Sequence, residues 1–223
     1  MAYDLEEQEQ LDEFKAWWKK NGKLATNLVL AALVAYAAWQ GYGYYQNKKA
    51  TEASVLYQAL VVTDSSKVAD IKAQAAKLSA DYAGTPYAGR AAILSAKASI
   101  AANDTKSAKT QLEWAAKNAK ESTTKAIASL QLAGILFEEK SYDAALKVLT
   151  NDADKGFMGL KEDLKGDIYL AQGKKADAKK SYETALNELD SQGKMQLYTR
   201  QKLEALGSES TVTESTGTAS SGA

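Results

Sequence analysis

Two hydrophobic patterns follow one another along the chain. Residues 24–47 carry no charged side chain, and positions 24–45 read LATNLVLAALVAYAAWQGYGYY. As a helix rising ~1.5 Å per residue this stretch is ~33 Å long, enough to cross the hydrocarbon core of a bilayer. From residue 50 onward apolar positions recur three and four apart, the spacing of one helical face. Polar or small clusters interrupt that pattern at 62–67, 83–86, 102–104, 120–122, 139–141, 154–156, 172–175 and 191–193. They predict helices of 10 to 17 residues joined by short turns, an all-α chain of helical hairpins.

The segment 166–186, GDIYLAQGKKADAKKSYETAL, reads as one helix-turn-helix unit. Gly166 and Ala178 are small enough for two antiparallel helices to cross. Tyr169 and Tyr182 wedge between them, Gly173 makes the turn, and Ala185 lets the next helix approach. This order resembles the tetratricopeptide repeat. Earlier copies keep a small residue and an alanine twelve apart: Ala133 and Ala145, with Leu136, Tyr142 and Leu149 as wedges, and Ala96 and Ala108, with Leu112. The offsets between copies are 33 and 37 residues, close to the usual ~34. Asp152 stands where the middle copy calls for a small residue, and Ser99 where the first calls for an aromatic one. Residues 50–83, before Pro86, read as a degenerate fourth helix pair, and 194–206, KMQLYTRQKLEAL, as a terminal helix capping the stack.

Four regions follow: a cytoplasmic amphipathic segment 1–23, a transmembrane helix 24–45, a repeat domain 46–206 and a tail 207–223. The tail, GSESTVTESTGTASSGA, lacks aromatics, lysine and arginine and is expected to be disordered. Lys15, Lys19, Lys20 and Lys23 precede the span against Lys48 and Lys49 after it, which places the N-terminus in the cytoplasm. Tyr36, Trp39, Tyr42, Tyr44 and Tyr45 crowd the other end, as rings at a membrane interface do. Leu11, Phe14 and Trp18, with Trp17 beside them, suit a short helix lying on the membrane surface. The acidic run YDLEEQEQLDEF is either a docking segment or a solvated face. Ala31, Ala35, Ala38 and Gly41 form a small-residue face that a partner helix could approach, although alanine is abundant throughout. A cleaved signal peptide and a buried core helix are the other readings of the apolar stretch, the first with a shorter run than this one.

Charge and composition narrow the function. The formal charge is zero, and residues 50–206 hold 22 basic and 20 acidic side chains with arginine only at 90 and 200. Nucleic acid is an unsuited partner for so neutral and arginine-poor a domain. Without cysteine or histidine the chain has no disulfide, no thiolate nucleophile and no imidazole chemistry. The acidic pairs Glu138 with Glu139 and Glu162 with Asp163 are helix neighbours that point in different directions, and no cofactor or metal motif is present. The expected site is instead the groove lined by the first helix of each pair: Arg90, Ile93, Lys97, Leu130, Phe137, Glu138, Asp163, Asp167 and Leu170. Its apolar strip suits an amphipathic helix or an unfolded segment, unless the N-terminal or terminal helix already fills it.

EFKAWWKKNGK before the span, the aromatic exit, TPYAGRAAILSAK at 85–97 and LKGDIYLAQGKKADAKKSYETAL at 164–186 together resemble the YfgM family of bacterial inner-membrane proteins, over about residues 10–206. The resemblance implies a single-span ancillary subunit of the SecYEG translocon with a periplasmic tetratricopeptide domain. It further implies association with the membrane-anchored chaperone PpiD, transfer of emerging secreted chains toward periplasmic chaperones, and no catalytic residues or cofactor. The alternatives are a membrane-tethered scaffold for envelope or cell-division machinery, and a binding protein released by cleavage.

Overall fold

The structure, a computed structural model, describes residues 2–150, 154–190 and 193–217, with side chains over 9–150, 154–190 and 193–207. Helix α1 runs over Ala2–Val61. Then come α2 (Val68–Asp81), α3 (Pro86–Ala101), α4 (Thr105–Asn118), α5 (Ser122–Glu138), α6 (Tyr142–Leu149), a 3₁₀ turn (Lys155–Phe157), α7 (Met158–Ala171), α8 (Lys175–Glu188) and α9 (Lys194–Gly217). No strand occurs among the described residues. Two compact units meet between Lys49 and Ala50.

In the first unit the apolar stretch is helical throughout, and no residue from 24 to 45 is buried by the rest of the chain. Leu24, Leu28, Val29, Leu30, Leu33 and Val34 all lie open. A core helix would hide such side chains, so the buried-helix reading is excluded. This helix has the length and composition to cross a membrane, and the protein is membrane-anchored. The surface helix expected around Leu11, Phe14 and Trp18 is not separate, because α1 passes through Asn21 and Gly22 without a break. Trp18 folds its ring over Gly22, and the Thr26 hydroxyl donates to the Gly22 carbonyl at 2.8 Å, which shields the backbone where glycine would otherwise loosen it.

The second unit is a stack of helical hairpins. The last turns of α1 pack on α2 through Ala53, Leu60, Ile71, Ala75 and Leu78, forming the degenerate first pair. Pairs α3/α4, α5/α6 and α7/α8 follow, and each first helix also neighbours the next first helix. Pro86 opens α3, where its missing N–H has no helical partner to lose. The turns inside the three later pairs are alike. Asn103 and Lys140 adopt φ 57° and Gly173 adopts φ 76°. The following N–H then reaches back to a carbonyl of the first helix: Asp104 to Ser99 at 2.8 Å, Ser141 to Leu136 at 2.8 Å, Lys174 to Tyr169 at 2.9 Å. These are the left-handed helix ends that satisfy otherwise orphaned carbonyls.

The crossings lie where small residues recur. Ala96, Ala133, Ala108, Ala145 and Ala178 are fully buried, as are the wedges Leu112, Leu149 and Tyr182. A Cβ on Gly166 would collide with the Tyr182 ring. Ser99 is likewise completely buried, small where an aromatic was expected. Gly89 and Gly159 repeat this logic at the other end of their helices. A Cβ there would come within 2.6 Å of the Ala119 Cβ and 2.7 Å of the Leu189 Cγ, respectively.

Two expectations change. Helix α6 spans 8 residues, shorter than the predicted minimum. Thr150 ends it by donating both its hydroxyl, at 2.7 Å, and its N–H, at 3.4 Å, to the Lys147 carbonyl, which tightens the last turn. Asp152, the irregular residue of the middle copy, lies outside the described residues, as do Ser191 and Gln192 in the last break. Helix α9 passes the expected boundary at Leu206 and continues to Gly217. Positions 218–223 of the expected disordered tail lie outside the described residues.

Neighbouring hairpins are tied by ion pairs and hydrogen bonds about one repeat apart. Lys72 pairs with Asp104, which also caps α4 by accepting from the Ser107 N–H. Lys109 holds Glu139 at 2.7 Å, and Arg90 holds Glu121 at 2.6 Å. Hydrogen bonding from Lys72 and Ser107 keeps the Asp104 carboxyl below its ordinary range. Arg90 does the same for Glu121, against a smaller opposing effect of burial, and Thr123 and the Gly156 N–H do so for Asp154.

Two outcomes are expected in the full chain held in detergent. Gly166→Ala should lower unfolding stability by ~1–3 kcal/mol through overpacking against Tyr182, read as a reduced urea midpoint. Gly134→Ala, where a Cβ meets nothing within 4 Å, should raise it by ~0.5–1 kcal/mol. Equal midpoints for the two variants would contradict the close crossing. Carboxyls whose folded pKa is depressed contribute stability above their ordinary pKa and lose it as pH falls through the folded value. The thermal midpoint should therefore hold from neutrality to about pH 5 and fall below about pH 4. Glu121→Gln should flatten that acid slope, whereas a midpoint that rises on acidification would refute these ties.

Candidate partner-binding groove

First helices, including the end of α1, line up side by side, and their repeat positions place side chains on one face. Arg90, Ile127 and Leu160 are equivalent by the 37- and 33-residue offsets, as are Ile93, Leu130 and Asp163. So are Lys97, Gly134 and Asp167, and likewise Ile100, Phe137 and Leu170. The expected groove residues thus occupy matching rows, but the structure treats the two ends of those rows differently.

Between the end of α1, α3 and α5 the face is open. A hollow of about 380 Å³ is walled by Tyr57 and by the half-buried Ile93, Leu94 and Ile127. Tyr57 leans on Tyr87 with ring centroids 5.6 Å apart. At the rim Arg90 clamps Glu121 with two bonds, Nε at 2.9 Å and Nη2 at 2.6 Å, and the Thr124 hydroxyl donates to the same carboxylate at 3.0 Å. The pair is preorganised and internally neutral, and each partner favours the other's charged form. A second hollow of about 300 Å³ shares Leu94 and continues past Leu60, Val61 and Ile71 to Lys97. Exposed Val61 and Val62 at the end of α1, and Ile100 on α3, add uncovered apolar surface. Lys97 has no ion-pair partner among the described residues.

In the middle of the array the face is partly consumed. Leu130 and Phe137 are half-buried against the cluster of Ala133, Ala145, Leu149 and Ile168, and Phe137 meets Tyr142 with centroids 6.0 Å apart. Glu138 is exposed, and Leu170 is 38% exposed. Gly134 leaves open space where its row has Lys97 before it.

At α7 two positions of the face are taken up while Leu170 on the same helix stays exposed, which corrects the expectation for two residues. Asp163 is buried, accepting from the Thr199 hydroxyl at 2.7 Å and from Lys202 at 2.8 Å. Asp167 accepts from Lys202 and from the Tyr182 hydroxyl, each at 2.8 Å. Burial works against the Lys202 charge, but its bonds to the two aspartates outweigh that and raise its pKa. Burial, then the bond to Asp167, pushes the Tyr182 hydroxyl up. Helix α9 therefore takes up these two positions, and both aspartates serve its docking. Tyr57, Leu94 and Ile127 are wall residues that the sequence reading did not name; the repeat offset from Arg90 marks Ile127, while Tyr57 belongs to the degenerate pair. Ala31, Ala35, Ala38 and Gly41 are exposed along α1, with nothing within 4 Å of a Cβ added at Gly41.

Comparison with known proteins agrees with this architecture. The family model for a tetratricopeptide repeat-like domain matches residues 15–208. The ancillary SecYEG translocon subunit of Neisseria gonorrhoeae is 35% identical over 213 residues, covering 92% of this chain and 100% of that protein. Those of Haemophilus influenzae and Escherichia coli are 29% and 28% identical, covering 83% and 81% of this chain and 91% and 87% of theirs. Similarity at this length spans the apolar helix, the repeats and their cap, so the chain belongs to the tetratricopeptide repeat-like family of the ancillary SecYEG translocon subunits, the YfgM family.

Proposed function

We propose that the protein is a non-catalytic adaptor at the SecYEG translocon, anchored by α1 with its N-terminus in the cytoplasm and its repeat domain in the periplasm. The names of its relatives support the translocon association. The excess of lysines before the span supports the orientation, and a chain with neither histidine nor cysteine supports the adaptor role. The face of Ala31, Ala35, Ala38 and Gly41 meets a helix of the membrane complex, where small residues let backbones approach. The repeat groove holds an extended or amphipathic segment of a secreted chain in transit, or of a PpiD-like chaperone that receives it.

The observation that carries this reading is the uneven occupancy of the groove. At α7 it is taken up in part by α9, while the stretch of Tyr57, Ile93, Leu94 and Ile127 stays open beside the rigid Arg90–Glu121 clamp. Apolar walls with few fixed polar groups suit a segment presented side chain first.

A photocrosslinker at Ile93, in full-length protein in native membranes, is expected to trap a translocon subunit, a chaperone or a translocating chain. Gly134→Trp fills open space on the same face and should weaken capture about tenfold, a loss of ~1.4 kcal/mol. Replacing 24–45 by an unrelated span of equal length should abolish translocon capture. Capture of lipid alone, or translocon capture that survives the new span, would refute the reading, the latter favouring a tethered envelope scaffold.

A further inference from the structure

Immediately before the uncharged stretch, α1 carries a group of hydrogen-bond donors that nothing among the described residues answers. A shallow hollow of about 420 Å³ is bounded by Trp18, Lys19, Gly22, Lys23, Thr26 and Asn27. Gly22, by lacking a side chain, gives the Trp18 ring room to lie along the helix. The Trp18 indole lies back over that glycine as one wall, with Nε1 3.1 Å from where a Cβ would stand. Lys19 and Lys23 are one helical turn apart and project together. Their amines, and that of Lys20, have no ion-pair partner among the described residues. The Trp18 N–H likewise has no acceptor there. The neighbouring acids do not supply one: of the described Glu9, Asp12 and Glu13, only Asp12 reaches a lysine, and that is Lys15 at 2.9 Å.

Indole N–H and ammonium groups donate and do not accept. A ligand that satisfies them together is anionic and rich in acceptors. Lys23 is the last charge before the uncharged stretch, so these donors stand at the depth where phospholipid phosphodiesters lie once α1 spans a bilayer. We propose that Trp18, Lys19 and Lys23 form a site for the phosphate of an anionic phospholipid, holding such a lipid against α1 in preference to a zwitterionic one. The Trp18 ring, seated over Gly22, covers the glycerol region, and the two amines hold the phosphate. This rests on α1 spanning the membrane and is independent of which compartment each end faces.

Tryptophan quenching by lipid tests it. The full chain with Trp18 as its single tryptophan (Trp17, Trp39 and Trp114 changed to Phe) is reconstituted in phosphatidylcholine vesicles. A minor fraction of the lipid carries bromine on the acyl chain near the headgroup, as phosphatidylglycerol or as phosphatidylcholine. Brominated phosphatidylglycerol is expected to be enriched about fivefold around Trp18 relative to brominated phosphatidylcholine, and less so in high salt. Lys19→Gln with Lys23→Gln should remove the preference, while Lys15→Gln should keep it, because Lys15 is already paired with Asp12. Equal quenching by the two lipids, or a preference that survives the double change, would overturn the proposal and leave the anchor intact. Failure of both lipids to quench would overturn the anchor as well. Native mass spectrometry of the unsubstituted chain, counting retained phosphatidylglycerol against phosphatidylcholine, checks the result without the tryptophan changes, and equal retention would overturn it too.

Discussion

Close crossing of paired helices at small residues governs everything beyond residue 50. Where Ala96 meets Ala108, Ala133 meets Ala145 and Gly166 meets Ala178, backbones approach until wedges at Leu112, Leu149 and Tyr182 are fully buried. Dense packing there fixes the hairpins, and fixed hairpins set the first helices side by side. The groove follows from that alignment, and so does its geometry. The left-handed turns at Asn103, Lys140 and Gly173 return each chain to its crossing, and the pairs from Lys72, Arg90 and Lys109 hold one hairpin against the next. These ties are partly exposed, so they set registry more than they add stability.

The anchor obeys a different rule. Its apolar residues are exposed because a bilayer, not the protein, is their solvent. What organises that unit is therefore a sequence of depths along one helix: lysines and tryptophans, then an uncharged stretch, then tyrosines. Trp18 over Gly22 preserves helical continuity where asparagine and glycine invite a break.

Much of this was legible because periodicity reports on packing. The spacing of Gly166 and Ala178 located the last hairpin, and the same spacing found the two before it. What the sequence concealed depends on contacts far apart along the chain. Asp163 and Asp167 look like surface acids on a helix, and only the position of Lys202 and Thr199, more than thirty residues on, shows that the first is buried and both are tied to α9. Gly89 and Gly159 gave no signal by themselves, because the residues that require them, Ala119 and Leu189, sit just after the following helix ends. Lys140 adopts a backbone conformation that glycine favours, so its turn was marked by polarity and not by residue type.

Equivalent positions of the copies carry different residue types with different burial, and this makes the groove aperiodic. Moving along one row, a ligand side chain meets Ile93, then the half-packed Leu130, then Asp163 beneath α9. A segment displaced by one repeat would exchange an open seat for a filled one. In the proposed role the surface acts like a ruler whose graduations differ: a chain held there would have one preferred alignment, and sliding past it would cost contact.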